Sequence, residues 1–221
     1  MRLGLFGGTF DPIHLGHLDV AHAARRQLGL DLVWLIPSRV PPHRTPPQAS
    51  AAHRFAMVCL AVQDQDGLVG CDVEIESAGP SYTTDTLTRL EVRGVDLRST
   101  FLILGADAFR DIEVWRDYPR VLDRTHFVAV SRPGLSAMAL PGALPSLASR
   151  MVPCPCEIPL QPSILLVDAE TSPVSSTDVR RARAARQPLD ALLPSAVAAH
   201  ILRHDLYLTP DGSTLTSQGT A

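Results

Sequence analysis

The opening stretch constrains this chain more than any other. The apolar run Leu3-Gly4-Leu5-Phe6 passes directly into Gly7-Gly8-Thr9-Phe10-Asp11-Pro12-Ile13 and then into His14-Leu15-Gly16-His17. A buried strand that ends in paired glycines and hands over to a helix is how an α/β unit begins. Glycine lacks Cβ, so the backbone can approach a ligand closely there. The first N–H groups of a helix, and its dipole, favour an anion such as phosphate. With a helix starting near Leu15 or Gly16, His14 and His17 stand about one turn apart beside that anion. The segment is not a Walker loop, because no Gly-Lys-Ser/Thr follows, and it does not satisfy Gly-x-Gly-x-x-Gly.

The rest of the chain repeats this alternation. Short aliphatic runs at residues 3–6, 32–36, 69–75, 101–104, 127–130 and 164–167 read as strands, several of them apolar on both faces. Between them, Leu15, Leu18, Ala21, Ala24 and Leu28 keep helical spacing, as do Phe55, Val58 or Cys59, and Val62, and then Thr86, Leu87 and Leu90. The pattern predicts a doubly wound, mostly parallel, Rossmann-like α/β sheet with a small helical C-terminal portion from about residue 170 to 208. Its ligand site belongs at the carboxyl ends of the strands, where the connections leave in opposite directions.

Two stretches break the rhythm. Residues 37–48 carry Pro37, Pro41, Pro42, Pro46 and Pro47, which predicts a stiff, extended loop. Residues 133–163, rich in proline, serine and alanine, read as a long irregular connection with a short strand around Met151 and Val152. Residues 209–221 are small and polar, which predicts a disordered tail after a single domain over 1–208. The length of 221 residues suits that organisation.

Composition excludes several classes. A formal charge of −3 argues against nucleic acid as an obligatory partner, and no apolar stretch is long enough to span a membrane. The N-terminus enters a strand at once, leaving no room for a signal peptide. Cys59, Cys71, Cys154 and Cys156 show neither disulfide nor zinc spacing and read as reduced, non-catalytic thiols of a soluble, cytoplasmic protein. His22, two helical turns from His14, reads as facing away from the site, and His53, His126, His200 and His204 have no metal-ligand grouping, so no structural zinc is assigned.

The segment from Gly7 to His17 resembles the signature of the nucleotidyltransferase superfamily that carries an H-x-G-H motif, and most closely its bacterial nicotinate mononucleotide adenylyltransferases. Pro41-Pro42-His43-Arg44, Ser81-Tyr82-Thr83-Thr84-Asp85-Thr86-Leu87, Gly105-Ala106-Asp107, Ser131-Arg132-Pro133-Gly134 and Val174-Ser175-Ser176-Thr177-Asp178-Val179-Arg180 resemble further motifs of that family, in order. So does the ending from Leu192-Leu193-Pro194 to His204-Asp205-Leu206-Tyr207. The resemblance implies transfer of the adenylyl group of ATP, with Mg²⁺, to nicotinate mononucleotide.

That chemistry suits the residues. The acceptor phosphate is largely dianionic near neutral pH, since its second pKa is about 6, so no protein base is needed. In-line positioning and positive charge around the phosphates suffice. Gly7, Gly8, Thr9 and Phe10 offer backbone contacts to ATP, and His14 and His17 donate from imidazole. Arg44, on its proline-stiffened loop, and Arg180 are the cationic candidates and complete the catalytic set with the two histidines. Ser175, Ser176 and Thr177, at a helix start, offer a second grip on the phosphates, whereas Arg181, Arg183 and Arg186 read as a solvated helical face. Gly105 and Asp107, at the end of the strand over 101–104, are placed to contact the adenosine ribose, although Asp107 could otherwise cap the next helix. The resemblance assigns Gly8, Thr9, Arg44, Tyr82, Thr83, Trp115 and Arg132 to the mononucleotide. Trp115 has a rival reading as a core aromatic, and Asp85 as a helix-start carboxylate. Arg116 departs from the family's usual aromatic pair. Nicotinamide mononucleotide or phosphopantetheine as acceptor, and a non-catalytic nucleotide-binding module, remain the alternatives, with homo-oligomerisation open.

Overall fold

The computed structural model describes residues 1–40, 46–76, 79–154 and 157–208. The expected Pro41–Arg44 loop motif, Cys156 and the tail over 209–221 lie outside the described residues. In chain order the elements are β1 (Leu3–Gly8), α1 (Leu15–Leu28), β2 (Leu32–Pro37), α2 (Ala51–Val62), β3 (Leu68–Gly70), α3 (Thr83–Val92), β4 (Thr100–Gly105) and α4 (Ala106–Phe109). They continue with β5 (His126–Val130), α5 (Leu140–Ala143), β6 (Met151–Pro153), β7 (Ile164–Val167), α6 (Ser176–Ala184) and α7 (Ser195–Arg203).

The strands form one sheet in the order β3-β2-β1-β4-β5-β7-β6, and every pairing is parallel. The side-chain period of two explains the apolar runs. Phe6, Val33, Leu35, Phe101, Ile103, Val128, Val130, Leu165 and Val167 enter one core, with α1, α2, α6 and α7. Leu3, Leu5, Ile36, Leu102, Leu104, Phe127, Ala129, Ile164 and Leu166 enter the other, with α3 and α4. Both faces are therefore covered, as a parallel sheet requires. Residues of α6 and α7 (Val179, Leu193, Val197, Ile201) belong to the first of these cores, so the helical C-terminal portion is packed onto the sheet itself.

From β1 the chain winds outward through β2 to β3, then crosses to β4 on the other side of β1. The switch in direction lies between β1 and β4, whose carboxyl ends carry Gly8 and Gly105.

Two expectations need correction. The run 69–75 is a strand only over Leu68–Gly70; beyond it the N–H groups of Ile75 and Glu76 turn back to the Asp72 carbonyl at 2.8 and 3.2 Å. The alternating Val69, Cys71, Val73 and Ile75 imitate a longer strand, but the last ladder bond is Cys71 N–H to the Leu35 carbonyl, 2.9 Å. Nor is 133–163 irregular throughout. Leu140, Leu144 and Leu147 close the second core on α5 and a following 3-10 turn, while the short strand expected around Met151 and Val152 is β6, the edge strand beside β7. Pro141, Gly142 and Pro145 mask that spacing in the sequence.

Among the described residues no helix is long and apolar enough to cross a membrane.

Candidate active site

Beyond β1 the backbone runs through a tight loop into α1, with Phe10 in the left-handed region (φ 48°). A Cβ on Gly8 would come within 2.9 Å of the buried Phe10 ring, whereas one on Gly7 would meet nothing within 4 Å. Gly7 thus faces open space at the switch point, while Gly8 lets the loop fold over itself.

His14 caps α1 in extended conformation, and its backbone N–H donates to His17 Nδ1 at 3.3 Å. That bond makes Nδ1 an acceptor and leaves the proton of the neutral His17 ring on Nε2. The two imidazoles lie ring on ring, 3.7 Å between centroids and 32° apart, and Phe10 meets His17 edge-on at 5.0 Å. His14 is 1% exposed, and its Nδ1 is buried without a hydrogen-bond partner. Burial, with Arg132 nearby, holds its pKa down at about 3, against a smaller opposing pull from Asp178, so the ring is neutral at physiological pH. Gly16 between the histidines is required by packing: a Cβ would stand 2.9 Å from the Ser172 carbonyl oxygen and 3.2 Å from that of Val174. The 172–174 segment therefore lies directly on the first turn of α1, held there by Ser172 N–H donating to Asp19 Oδ2 at 2.8 Å.

This contact brings α6 to the loop. Ser175 caps α6, its Oγ accepting from Asp178 N–H at 3.1 Å, and the Ser175 N–H donates back to Asp178 Oδ2 at 3.0 Å. Ser176 Oγ donates to the Pro12 carbonyl at 2.8 Å, and Arg180 Nη1 to the Asp11 carbonyl at 2.8 Å. The serine hydroxyls, expected to face phosphate, are engaged in capping and in pinning the loop. The helix start leaves its foremost backbone N–H groups without intrahelical partners, while that of Asp178 is taken by Ser175. Arg180 also donates to Thr177 Oγ1 at 3.2 Å.

Across the crevice, Gly105 ends β4 and caps α4, with Asp107 in the first turn. A Cβ on Gly105 would collide with the Asp107 carboxylate and come within 3.3 Å of the Arg132 stem. Arg132 leaves β5 in a two-way backbone turn with Leu135. Gly105, Asp107 and Arg132 thus meet at one edge of the site, near His14. Tyr82 precedes α3, and Thr83 opens it. The Arg116 guanidinium lies 4.7 Å from the Tyr82 ring centroid and pairs with Asp85 at 3.2 Å, while Trp115 packs partly buried on the second core. Arg116, the departure from the family pattern, therefore stands against Tyr82 where the pattern has an aromatic.

Several site-building residues escaped the sequence reading. Arg54, 1% exposed on α2, donates to the carbonyls of Thr9 (2.7 Å), Ser38 (2.5 Å), Arg39 (3.0 Å) and Ala49 (3.2 Å). It joins the glycine loop to the end of β2, and burial lowers its pKa from the ordinary guanidinium value. The buried Asp11 carboxylate accepts from the N–H groups of Gln48 (2.7 Å) and Ala49 (3.0 Å) and from the Tyr207 hydroxyl (2.8 Å). Burial, reinforced by Asp11, pushes the Tyr207 pKa far up, so the phenol stays a donor. Arg183, expected on a solvated face, is 8% exposed and donates to the Leu206 carbonyl (3.2 Å) and Asp205 (3.3 Å), because the chain after α7 folds back over it. Of the remaining histidines, His22 bonds Gln65 at 2.8 Å and the buried His126 stacks on Phe101.

Comparisons with known proteins agree with this architecture. Residues 5–182 match the family described as cytidylyltransferase-like. A protein of Roseiflexus sp. named "probable nicotinate-nucleotide adenylyltransferase" is 40% identical over 93% of this chain and 97% of its own length. One of Symbiobacterium thermophilum with the same name is 38% identical over 94% and 95%. The Plasmodium falciparum nicotinic acid mononucleotide adenylyltransferase complexed with NaAD superposes with a TM-score of 0.69 over 93% of this chain and 96% of that one; at 18% identity the likeness is one of fold. The chain belongs to the cytidylyltransferase-like family, among its nicotinate-nucleotide adenylyltransferases.

Proposed function

We propose that the protein joins the adenylyl group of MgATP to nicotinate mononucleotide, giving nicotinate adenine dinucleotide and pyrophosphate in NAD biosynthesis. The observation that carries this reading is the stacked pair of imidazoles where the loop after β1 enters α1, at the switch point of a parallel sheet.

An oxygen of the acceptor phosphate attacks the α-phosphorus, and the bond to the bridging oxygen of the β-phosphate breaks as pyrophosphate leaves. No proton need be removed from the nucleophile. What the chain supplies is donors arranged before the charge moves. His17 would offer its Nε2–H to the phosphates, its Nδ1 accepting from the His14 backbone N–H. His14, kept neutral by burial, is a second donor that adds no repulsion to its stacked neighbour. Gly8, Thr9 and Phe10 offer backbone N–H groups, Gly7 leaves room for the triphosphate, and α6 presents its N-terminus with Thr177 and Arg180. Ser175 and Ser176 serve by holding that helix end against the loop. Arg44 is assigned to the triphosphate and mononucleotide from its place in the sequence. Gly105 and Asp107 fit the adenosine ribose. Tyr82, Thr83 and Trp115 fit the pyridine ring, with Arg132 toward the mononucleotide phosphate. Mg²⁺ arrives with ATP and is held by phosphate oxygens and water; it neutralises charge on the leaving pyrophosphate. We place the reaction in the cytoplasm.

The test is pyrophosphate release from ATP and Mg²⁺ with each acceptor in turn. Nicotinate mononucleotide should turn over fastest; turnover with phosphopantetheine alone would overthrow the assignment. His17→Ala should lower kcat about 10²–10³-fold, as for loss of one preorganised donor, with the fold intact.

A further inference from the structure

Outside the site, three histidines distant in sequence meet between α2 and α7. His53 Nδ1 lies 3.1 Å from His200 Nε2. The His204 ring stands 5.0 Å from that of His53 and 4.5 Å from that of His200, centroid to centroid. We propose that His53, His200 and His204 bind one divalent transition-metal ion of the zinc class, which braces α2 against α7.

The geometry points to a metal for three reasons. Two imidazole nitrogens on one tetrahedral zinc, each about 2.0–2.1 Å from the ion, are about 3.3 Å apart. The His53–His200 pair is already within a few tenths of an ångström of that spacing. Second, His200 and His204 are four residues apart at the end of α7, so both side chains leave the same face of the helix. Third, His53 and His200 are half-buried and His204 is exposed, which leaves the cluster open to an ion and to a water as fourth ligand. As the side chains stand, no three of them among the described residues form a group that could hold a metal ion. His53 Nδ1 and His200 Nε2 share one proton in their hydrogen bond, so binding displaces that proton and turns both nitrogens to the ion, and His204 arrives by rotation of an exposed side chain, which staggered rotamers allow at little cost. Imidazole ligands suit zinc, copper and nickel rather than magnesium or calcium.

The position gives the ion a consequence. His53 precedes Arg54, which holds the Thr9 and Ser38 carbonyls, and His204 lies three residues before Tyr207, which holds Asp11. A brace here ties together the two elements that support the glycine loop from beneath.

Metal-free, full-length protein is titrated with Zn²⁺ in the absence of nucleotide, by equilibrium dialysis, and with Co²⁺ followed by visible absorption. The expected result is one ion per chain, tetrahedral cobalt bands, and a Tm that rises with zinc concentration. His204→Ala, at an exposed position, should keep the fold and weaken binding at least tenfold; His200→Gln should do the same. Absence of stoichiometric binding would overturn the proposal. So would binding unchanged in both variants, which would put the ion elsewhere, for instance on His14 and His17. Binding that leaves Tm unmoved would refute the brace. Because adenylyl transfer is not part of the readout, failure here leaves the proposed function standing.

Discussion

Arg54→Met is the sharpest test of how the glycine loop is held. The guanidinium donates to four carbonyls at 2.5–3.2 Å, from Thr9, Ser38, Arg39 and Ala49. Methionine keeps an apolar stem of similar length in the same channel but has nothing to donate. A hydrogen bond involving a charged group contributes about 1.5–3 kcal/mol. The four share one side chain, and carbonyls near the surface regain water, so the sum does not apply. Removing one partner of a buried charged network costs about 3–5 kcal/mol, and we take about 4. For a chain of this size each kcal/mol moves Tm by about 2–4 °C, giving a fall of about 8–16 °C. Thermal unfolding followed by circular dichroism measures it. Kinetics below both transitions should then show a lower kcat, because the Thr9 and Ser38 carbonyls orient the loop that faces ATP. Arg54→Lys retains the charge but cannot span four acceptors and should fall between parent and methionine variant. A drop in Tm of under about 2 °C with kcat unchanged would show that Arg54 is not the clasp the distances describe.

Three further outcomes follow from the same geometry. His14 titrates near 6.5 when unfolded and at about 3 when folded; between those values the unfolded chain binds the extra proton, so stability falls as pH drops, by at most about 1.4 kcal/mol per unit. Urea unfolding at pH 7 and pH 5 should show His14→Asn losing about 2 kcal/mol less than the parent over that interval, and identical losses would contradict the burial argument. Gly16→Ala places a Cβ 2.9 Å from the Ser172 carbonyl oxygen, so the 172–174 segment must shift; we expect a cost of about 1–3 kcal/mol and reduced kcat, with full activity as the refuting result. Gly7→Ala, whose Cβ would enter open space, should leave Tm within about 2 °C and raise KM for ATP, which a nucleotide titration checks.

Where the chain's local chemistry is self-contained, the sequence carried the answer. Strand runs with a period of two, helices with their own caps, and the glycines after β1 depend on neighbours a few residues away. Hence β7 falls at Ile164–Val167 and α1 at Leu15–Leu28, as read from sequence, and α6, expected to start at Ser175 or Ser176, begins at Ser176 with Ser175 as its cap. The switch point followed from the alternation of elements, and with it the place of His14 and His17. Local pattern misled where it lacked a partner: the alternation past Gly70 continues with no strand to pair, and the prolines around Leu140 and Leu147 hid a packed segment.

What the sequence could not show is which distant groups meet. Asp11 and Tyr207 are 196 residues apart, Ser172 and Asp19 are 153, and His53 and His200 are 147. No spacing rule spans such distances, because those contacts exist only after both cores have closed and carried α2, α6 and α7 to the same side of the sheet. The residue types along β1 and α1 specify a phosphate site with two imidazoles. Burial of Arg54, Asp11 and Tyr207 beneath it fixes the loop's shape, and burial, with Arg132 nearby, holds the His14 pKa well below its ordinary value.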